Sequence, residues 1–304
     1  MERKSAKTHG GTLLIVLAGI FWGSMGIFVR ALGEYGFSSI QIVCLRLSVA
    51  AVAFALLHAL IERRALWIAA RDIPLFLGLG WGSILFFTVC YFTAMRMMSL
   101  SAAAILLYTS PIWVMLMSCL FFKERLSARK LTALALAFGG CVLVSGLGSG
   151  GGVNPLGLLI GLGSGLGYGL YSILGSVALK KYSPLTVTTY TFVFAAAGAW
   201  CICAPGEMIG LIAAAEGKGA LALLTVLAGL ITAVIPFSAY TEGLKTVEPS
   251  RAAILATVEP MVATLFGAAV FKEPVTAASA LGIALILGSI VLLNARSGAK
   301  AAQE

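Results

Sequence analysis

Two charged residues, Arg46 and Glu259, stand alone inside long apolar stretches of the 304-residue sequence. A carboxylate at the centre of a membrane-spanning helix costs about 3 kcal/mol unless it is protonated or faces a partner or water. Glu259 therefore predicts a site for a substrate amine or for a proton. The alternative is a carboxylate satisfied by a neighbouring hydroxyl group or by an arginine. For Arg46 two interpretations stay open, a partner for a substrate carboxylate and one half of a structural ion pair.

Four tyrosines and one tryptophan are the aromatic candidates for the same site. Trp22 falls at the middle of the first apolar segment, away from the membrane interfaces where tryptophan normally anchors a helix, and this favours a cavity wall. Tyr91 and Tyr240 occupy matching positions, 149 residues apart, in two similar halves of the sequence. They either line a gate or anchor at a membrane interface. Tyr168 and Tyr171 share one face of a helix, so both could line the solute path.

Residues for other kinds of chemistry are scarce. His9 and His58 are the two histidines, and neither belongs to a pattern with a nucleophile, a base or metal ligands. No GxSxG, HExxH or aspartate-rich pair occurs. The six cysteines fall in apolar segments without a CxxC pattern, which indicates packing rather than disulfides. We therefore expect no enzyme activity, no metal and no cofactor.

The composition shows which elements must carry these residues. Hydrophobic residues make up 60% of the chain and charged residues only 11%, against roughly 25% charged in a soluble domain. Uncharged runs of about 20 residues or more recur along the chain, and each is long enough to cross a bilayer as a helix. We predict an all-α integral membrane protein with ten transmembrane spans. Their bounds are 12–31, 38–61, 73–96, 99–121, 128–146, 155–178, 184–204, 219–243, 250–271 and 276–294.

The distribution of basic residues predicts the orientation. Of the 21 Lys and Arg residues, 15 fall in segments on the side of the N-terminus and four on the other side. Because cytoplasmic loops carry the excess of Lys and Arg, both termini are expected in the cytoplasm, in a bacterial plasma membrane. The net charge of +9 follows from this bias, so a nucleic-acid partner is not expected. The first span is too long for a signal-peptide core and lacks a cleavage pattern.

An internal duplication organises the spans. Phe122-Lys123-Glu124 recurs 149 positions later as Phe271-Lys272-Glu273, and residues 101–144 align with 250–293 at the same offset. Each half, 11–145 and 154–294, contains five predicted helices. Five is an odd number, so the second half must enter the membrane from the opposite side. Inverted repeats of this kind are typical of secondary transporters, which suggests that helices 1–5 and 6–10 move against each other around a midplane site.

Differences between the two halves point to function, and similarities point to the scaffold. Ser110 is the counterpart of Glu259, which makes both positions candidates for the site. Pro111 and Pro260 match, and because proline removes a backbone donor, they predict a kink in both fourth helices at the cavity.

Two matching glutamates point to the scaffold instead. Glu124 and Glu273, with Ser127 and Thr276 as helix N-caps, fit structural roles at helix termini.

The duplicated unit resembles the EamA-type exporters of the drug/metabolite transporter superfamily. The resemblance rests on Trp22-Gly23-Ser24 in the first helix, Arg46 early in the second, and Ser110-Pro111 or Glu259-Pro260 in each fourth helix. It implies ten helices, a central cavity, and export of amino acids or other small metabolites.

The second half departs from the family pattern at two points. It has Tyr168-Gly169 in place of Trp-Gly, and Thr191 near the position that corresponds to Arg46.

The chain has no nucleotide-binding loop, so a gradient of an ion or a solute must supply the energy. The proton is the candidate coupling ion, and the lipid bilayer and a small-molecule substrate are the expected partners. Monomer and homodimer both stay open. The alternative function is a facilitated-diffusion channel or a membrane sensor for a small solute.

Overall fold

The computed structural model describes residues 2–61, 67–145 and 155–295, and within these ranges the regular structure is helical. Eight helices in the described ranges are long and apolar enough to cross a membrane. They are α1 (His9–Gly33), α2 (Ser39–Ile61), α3 (Ala70–Met97), α4 (Ala102–Phe122), α6 (Pro155–Ala178), α8 (Lys218–Gly243), α9 (Pro249–Phe271) and α10 (Ala277–Asn294). Two further helices, α5 (Ala128–Val144) and α7 (Pro184–Trp200), have 17 residues each.

These helices lie where the hydropathy pattern predicts spans, with one difference after α7. That helix ends at Trp200, and residues 205–218, which the predicted spans leave as a loop, contain a further helix, Pro205–Ala214. The two helices meet at 91°, and together they would make a ninth candidate span. The loop prediction was wrong here because Pro205 starts a helix at its first position, where a missing N–H costs nothing. The count of ten spans and the opposite orientation of the halves stay predictions.

Helix α4, which carries the pair Ser110-Pro111, and helix α9, which carries the pair Glu259-Pro260, are both interrupted. The regular helix of α4 ends at Leu107 and resumes at Ser110, and that of α9 ends at Ala256 and resumes at Val258. Threonine hydroxyls at the two breaks donate to backbone carbonyls of the preceding turn. The breaks come just before Pro111 and Pro260, whose rings cannot supply the N–H that an unbroken helix needs.

The repeated Phe-Lys-Glu sequence is a helix stop. In both copies the lysine adopts the left-handed conformation, with φ of 54° at Lys123 and 58° at Lys272. The N–H of the following glutamate donates to a carbonyl six residues earlier, at 3.3 Å for Glu124 and 3.2 Å for Glu273. This pattern is a Schellman motif, which satisfies carbonyls at a helix C-terminus. The repeated Phe-Lys-Glu sequence thus forms the same kind of helix end in α4 and in α9.

A helix start follows each stop. The hydroxyl of Ser127 accepts the N–H of residue 130 at 3.2 Å, and the hydroxyl of Thr276 accepts that of residue 279 at 3.1 Å. Both predicted N-caps are confirmed. Each copy therefore joins two helices by a short connection whose backbone groups are satisfied locally.

The helices pack mostly against helices of the other half of the sequence. The helix α5 packs along α10, where a Cβ at Gly140 or Gly282 would lie 2.7 Å from the other residue's carbonyl oxygen. The helix α1 packs against α8 and α9, α6 packs against α3 and α4, and α2 packs against α7 and α8. Two groups result, α1 with α8 and α9, and α3 with α4 and α6.

Among the described residues, the two groups meet closely at one end of the bundle and not at the other. The second part of α4, Ser110–Phe122, packs against the first part of α9, Pro249–Ala256. The other parts, Leu100–Leu107 and Val258–Phe271, make no comparable contact. We call the closed end, where α4 stops and α9 starts, the Glu124 side, and the opposite end the Glu273 side. The groups diverge toward the Glu273 side, and this divergence leaves room for a cavity.

Candidate functional site

A cavity of about 260 Å³ lies between the two groups of helices, and both deeply placed charges line it. A single water molecule needs roughly 10–15 Å³ of such space, so the cavity has room for a small polar solute. Five of the predicted site residues line it, namely Trp22, Arg46, Tyr91, Tyr168 and Glu259. The other three, Ser110, Tyr171 and Tyr240, line a smaller neighbouring cavity of about 20 Å³. Pro111 and Pro260 border neither of these two cavities.

Arg46 is buried about two turns into α2, and its side chain borders the large cavity. One terminal nitrogen, Nη1, lies 3.0 Å from the sulfur of Met25, which is a weak acceptor. The Nε atom has no hydrogen-bond partner among the described residues. A buried guanidinium with spare donors is suited to bind an anionic group from outside the chain.

A close helix contact fixes the backbone beneath Arg46. A Cβ at Gly229 of α8 would lie 2.4 Å from Val49 and 3.3 Å from the Arg46 carbonyl oxygen. Only glycine lets α8 approach α2 this closely. The matching residue Gly80 of α3 packs in the same way against α7, where a Cβ would lie 2.9 Å from the carbonyl oxygen of Thr191. Gly80 and Gly229 thus make equivalent helix contacts in the two halves. The charge beside this contact, Arg46, exists in one half alone.

Glu259 stands in the first turn of the second part of α9, directly after the break. Its Oε2 atom accepts a hydrogen bond from the Tyr168 hydroxyl at 2.7 Å. Within the described chain, no ion pair of 4.0 Å or less joins Glu259 to Arg46. The neighbouring hydroxyl considered in the sequence interpretation is therefore present, and the carboxylate still borders the cavity. The two opposite charges share one cavity without contact.

An aromatic layer separates the two cavities. Trp22 packs against Phe237 and Tyr240 with ring centroids 5.0 and 5.3 Å apart, and against Tyr168 at 6.2 Å. Trp22, Tyr168 and Phe237 line both cavities. We call these three residues the aromatic floor. The floor therefore lies between the large cavity and the Glu124 side.

Hydrogen bonds between the two groups of helices lie beneath this floor. The hydroxyl of Tyr240 in α8 bonds to that of Ser172 in α6 at 2.7 Å, and that of Tyr171 bonds to Thr241 at 2.6 Å. Tyr240 is only 3% exposed, so it does not anchor at a membrane interface. Tyr171 and Tyr240 hold α6 against α8 at the closed end, whereas Tyr91 faces the open cavity.

Several lining residues escaped the sequence interpretation. Phe87, Met25, Tyr108 and Phe237 border the large cavity, yet each is an apolar or aromatic residue within an apolar helix. One of these residues could have been predicted: Tyr108, because it stands two positions before the Ser110-Pro111 pair. Among the described residues, no group of three His, Cys, Asp or Glu side chains could hold a metal ion.

Comparison with known proteins gives the family. Residues 9–146 and 155–295 each match the model of the EamA-like transporter family. The chain belongs to this family. The two matched segments correspond to the two halves of the internal duplication. The cavity and its charges are thus those of a member of a transporter family.

Relatives extend over nearly the full length. An Archaeoglobus fulgidus protein named "Uncharacterized transporter" is 29% identical over 93% of this chain and 95% of its own length. The Bacillus subtilis "Uncharacterized transporter YwfM" is 24% identical over 93% of both chains. A solved crystal structure superimposes with a TM-score of 0.78 at 19% identity, covering 93% of this chain and 96% of that one. This last likeness is a likeness of fold.

Proposed function

We propose that this member of the EamA-like transporter family is a secondary-active transporter that exports amino acids or related small metabolites by alternating access. The observation that carries the proposal is the pair of unlinked charges, Arg46 and Glu259, on the wall of one cavity. Two opposite charges that face the same space without contact leave room for a molecule that carries both complementary charges.

A zwitterion fits this arrangement. Arg46 has donors for a carboxylate, and Glu259 has a second oxygen beyond the one bonded to Tyr168 for an ammonium group. The rest of the wall is mostly apolar and aromatic, including Phe87, Phe92 and Met95, and would accept a hydrophobic side chain or carbon skeleton. The residues thus supply polar groups that orient the solute and an apolar surface that buries it.

The architecture proposed for this function is two inverted five-helix repeats, residues 11–145 and 154–294, with ten spans. The matching Schellman motifs, N-caps and glycine contacts at an offset of 149 support it. The excess of Lys and Arg supports a bacterial inner membrane location with both termini in the cytoplasm. In that orientation the Glu124 side is cytoplasmic, and the cavity belongs to a state that faces outward.

The packing suggests how the two faces would alternate. Each compact group contains helices of both halves, α1 with α8 and α9, and α3 with α4 and α6. Movement of helices 1–5 as one body against helices 6–10 would break these contacts. We therefore propose that the two groups, rather than the two repeats, rock against each other around the aromatic floor.

The test is uptake of a labelled panel of amino acids and metabolites into proteoliposomes, with and without an imposed pH gradient. We expect the gradient to drive saturable accumulation of at least one zwitterion by the wild type, and Glu259→Gln to abolish its pH dependence. If Glu259→Gln transports every accepted solute at the wild-type rate with the wild-type pH dependence, the role of Glu259 is wrong. Transport that never exceeds equilibration would indicate facilitated diffusion instead.

A matched pair of tyrosine variants refines the test. Tyr168→Phe keeps the ring that packs on Trp22 but removes the hydroxyl that holds Glu259. Tyr91→Phe removes a hydroxyl elsewhere on the same wall. A hydrogen bond to a charged group contributes about 1.5–3 kcal/mol, so we expect Tyr168→Phe to lower transport by about tenfold or more. Equal rates for the two variants would contradict a specific role of the Tyr168 hydroxyl.

A further inference from the structure

We propose that Glu124, Lys130, Glu248 and Ser250 form a lock that keeps the Glu124 side closed and must open for the solute to pass there. We call these residues the Glu124 cluster. The inference rests on the alternating access proposed above. It assigns to the first Phe-Lys-Glu sequence a role that its copy in the second half does not have.

The Glu124 cluster connects the two groups of helices. The Glu124 carboxylate, which follows α4, accepts hydrogen bonds from Lys130 Nζ at 3.0 Å and from the Ser250 hydroxyl at the start of α9. Lys130 Nζ also donates to Glu248 at 2.6 Å. The Glu124–Ser250 contact therefore crosses from the end of α4 to the start of α9. Lys130, in the first turn of α5, bridges Glu124 to Glu248, which directly precedes α9.

The cluster is shielded from water at its centre. The side chains of Glu124 and Lys130 are 7% and 14% exposed, whereas that of Glu248 is 61% exposed. Salt and water screen buried ion pairs much less than exposed ones. Removing one partner of such a buried pair leaves an uncompensated charge, so the closed arrangement depends on both Glu124 and Lys130.

The order of features along α4 and α9 locates the lock. Glu259 and Ala263 of α9 line the large cavity, Ala253 and Ala256 line the small one, and Ser250 lies in the cluster. On α4, the cavity residues around Leu107 are likewise followed by small-cavity residues and then by Glu124. At about 1.5 Å per helical residue, Ser250 is roughly 13 Å from Glu259 along the axis. The large cavity, the aromatic floor, the small cavity and the Glu124 cluster thus follow one another toward the Glu124 side. The lock lies at the end of this series that is farthest from the large cavity.

The glutamate of the second Phe-Lys-Glu sequence makes a different contact, although a basic residue lies over the phenylalanine ring in both copies. Glu273 pairs with Arg30, and the Arg30 guanidinium lies 4.0 Å from the centroid of the Phe271 ring. Arg30 belongs to α1 and Phe271 to α9, so this contact stays within one group. The side chains of Arg30 and Glu273 are 53% and 49% exposed. On the Glu273 side, the Phe-Lys-Glu sequence therefore joins two helices of one group. On the Glu124 side, it connects the two groups.

The test measures access from each side without any transported solute. Single cysteines at Ala256 (small cavity) and Ala263 (large cavity) are introduced into a background whose six native cysteines are replaced. A charged, membrane-impermeant thiol reagent is applied to vesicles of known orientation. In Glu124→Gln and in Lys130→Met we expect modification of the cysteine at 256 from the Glu124 side to rise about tenfold. Modification at 263 from the other side should fall, because one face opens as the other closes.

Glu273→Gln is the matched control, since it removes the same residue of the second motif, and it should not raise access at 256. Unchanged access at 256 in both cluster variants would overturn the lock. Increased access at both 256 and 263 would also overturn it, because it would indicate general loosening.

Hydrogen exchange of residues 249–256 in the otherwise native chain provides a second measurement that needs no cysteine replacement. Faster exchange in Lys130→Met but not in Glu273→Gln is expected, and equal exchange rates would overturn the lock. A failure to find any transported solute would refute the proposed function but would leave these access measurements interpretable.

Discussion

Gly23 marks a close approach of α1 to α9 beside the site, and an alanine there is a direct test of the packing. A Cβ at Gly23 would lie 2.7 Å from the Val262 Cβ and 2.8 Å from the Glu259 carbonyl oxygen. The first contact is about 0.8 Å short of the roughly 3.5 Å at which carbon atoms pack best. The second is to backbone, which cannot rotate away. The helices must therefore separate or bend to admit one methyl group.

The expected cost follows from this overlap. Extra methyl groups in a packed core destabilise by about 1–3 kcal/mol. Alanine in place of glycine also gains up to about 1 kcal/mol of helix propensity, which would mask part of the effect. Gly26→Ala is the control for this gain in helix propensity. Gly26 is in the same helix and borders the same cavity, but no atom lies within 4 Å of its Cβ position. The difference between the two variants should thus equal the overpacking cost, about 1–3 kcal/mol.

The assay is equilibrium unfolding of both variants in mixed detergent micelles, followed by helical circular dichroism. We expect Gly26→Ala to be at least as stable as the wild type and Gly23→Ala to be less stable than Gly26→Ala by the amount given. Transport should fall in Gly23→Ala, because separation of α1 from α9 shifts Trp22 relative to Glu259. Equal stability of the two variants would refute the close contact and the position it gives to Trp22.

Three further predictions use local contacts. Thr276→Ala removes an N-cap and should cost about 1 kcal/mol of unfolding free energy, whereas Thr276→Ser should retain it; equal losses would contradict the cap. Ser83→Ala removes a buried hydrogen bond of 2.8 Å to the Gly167 carbonyl and should cost about 0.6 kcal/mol in the same unfolding assay, and an unchanged stability would contradict that contact. The Asp72 carboxylate, through its hydrogen bond, raises the pKa of Lys181, so Asp72→Asn should lower that pKa toward its ordinary value. NMR titration of isotopically methylated lysine would measure this change, and an unchanged pKa would refute the pairing.

Features that depend on nearest neighbours along the chain were predictable from the sequence. A helix that crosses a bilayer needs about 20 apolar residues whatever it packs against, so the hydropathy pattern located the helices. The N-caps at Ser127 and Thr276 involve residues three positions apart, and their side chains alone identify them. The helix at Pro205–Ala214 was missed because the Pro-Gly pair that opens it is also typical of a loop.

The candidate site was only partly predictable. Arg46 and Glu259 were identifiable because a charge inside the membrane is costly and needs a reason. Their shared cavity was not, since they are in different helices of different halves, and neither were the aromatic wall residues. An aromatic side chain in an apolar helix has the same sequence signature whether it faces lipid, another helix or a cavity.

The sequence by itself determined the membrane class, the position of most helices, the duplication and the two deep charges, because each follows from local composition or from spacing along the chain. Only the tertiary structure decided that these charges border one cavity without contact, and that the aromatic floor bounds it on one side. It also decided that Glu124 bridges two groups of helices while Glu273 stays within one. The two motifs are identical in sequence, and their different contacts arise because packing sets a different helix opposite each one.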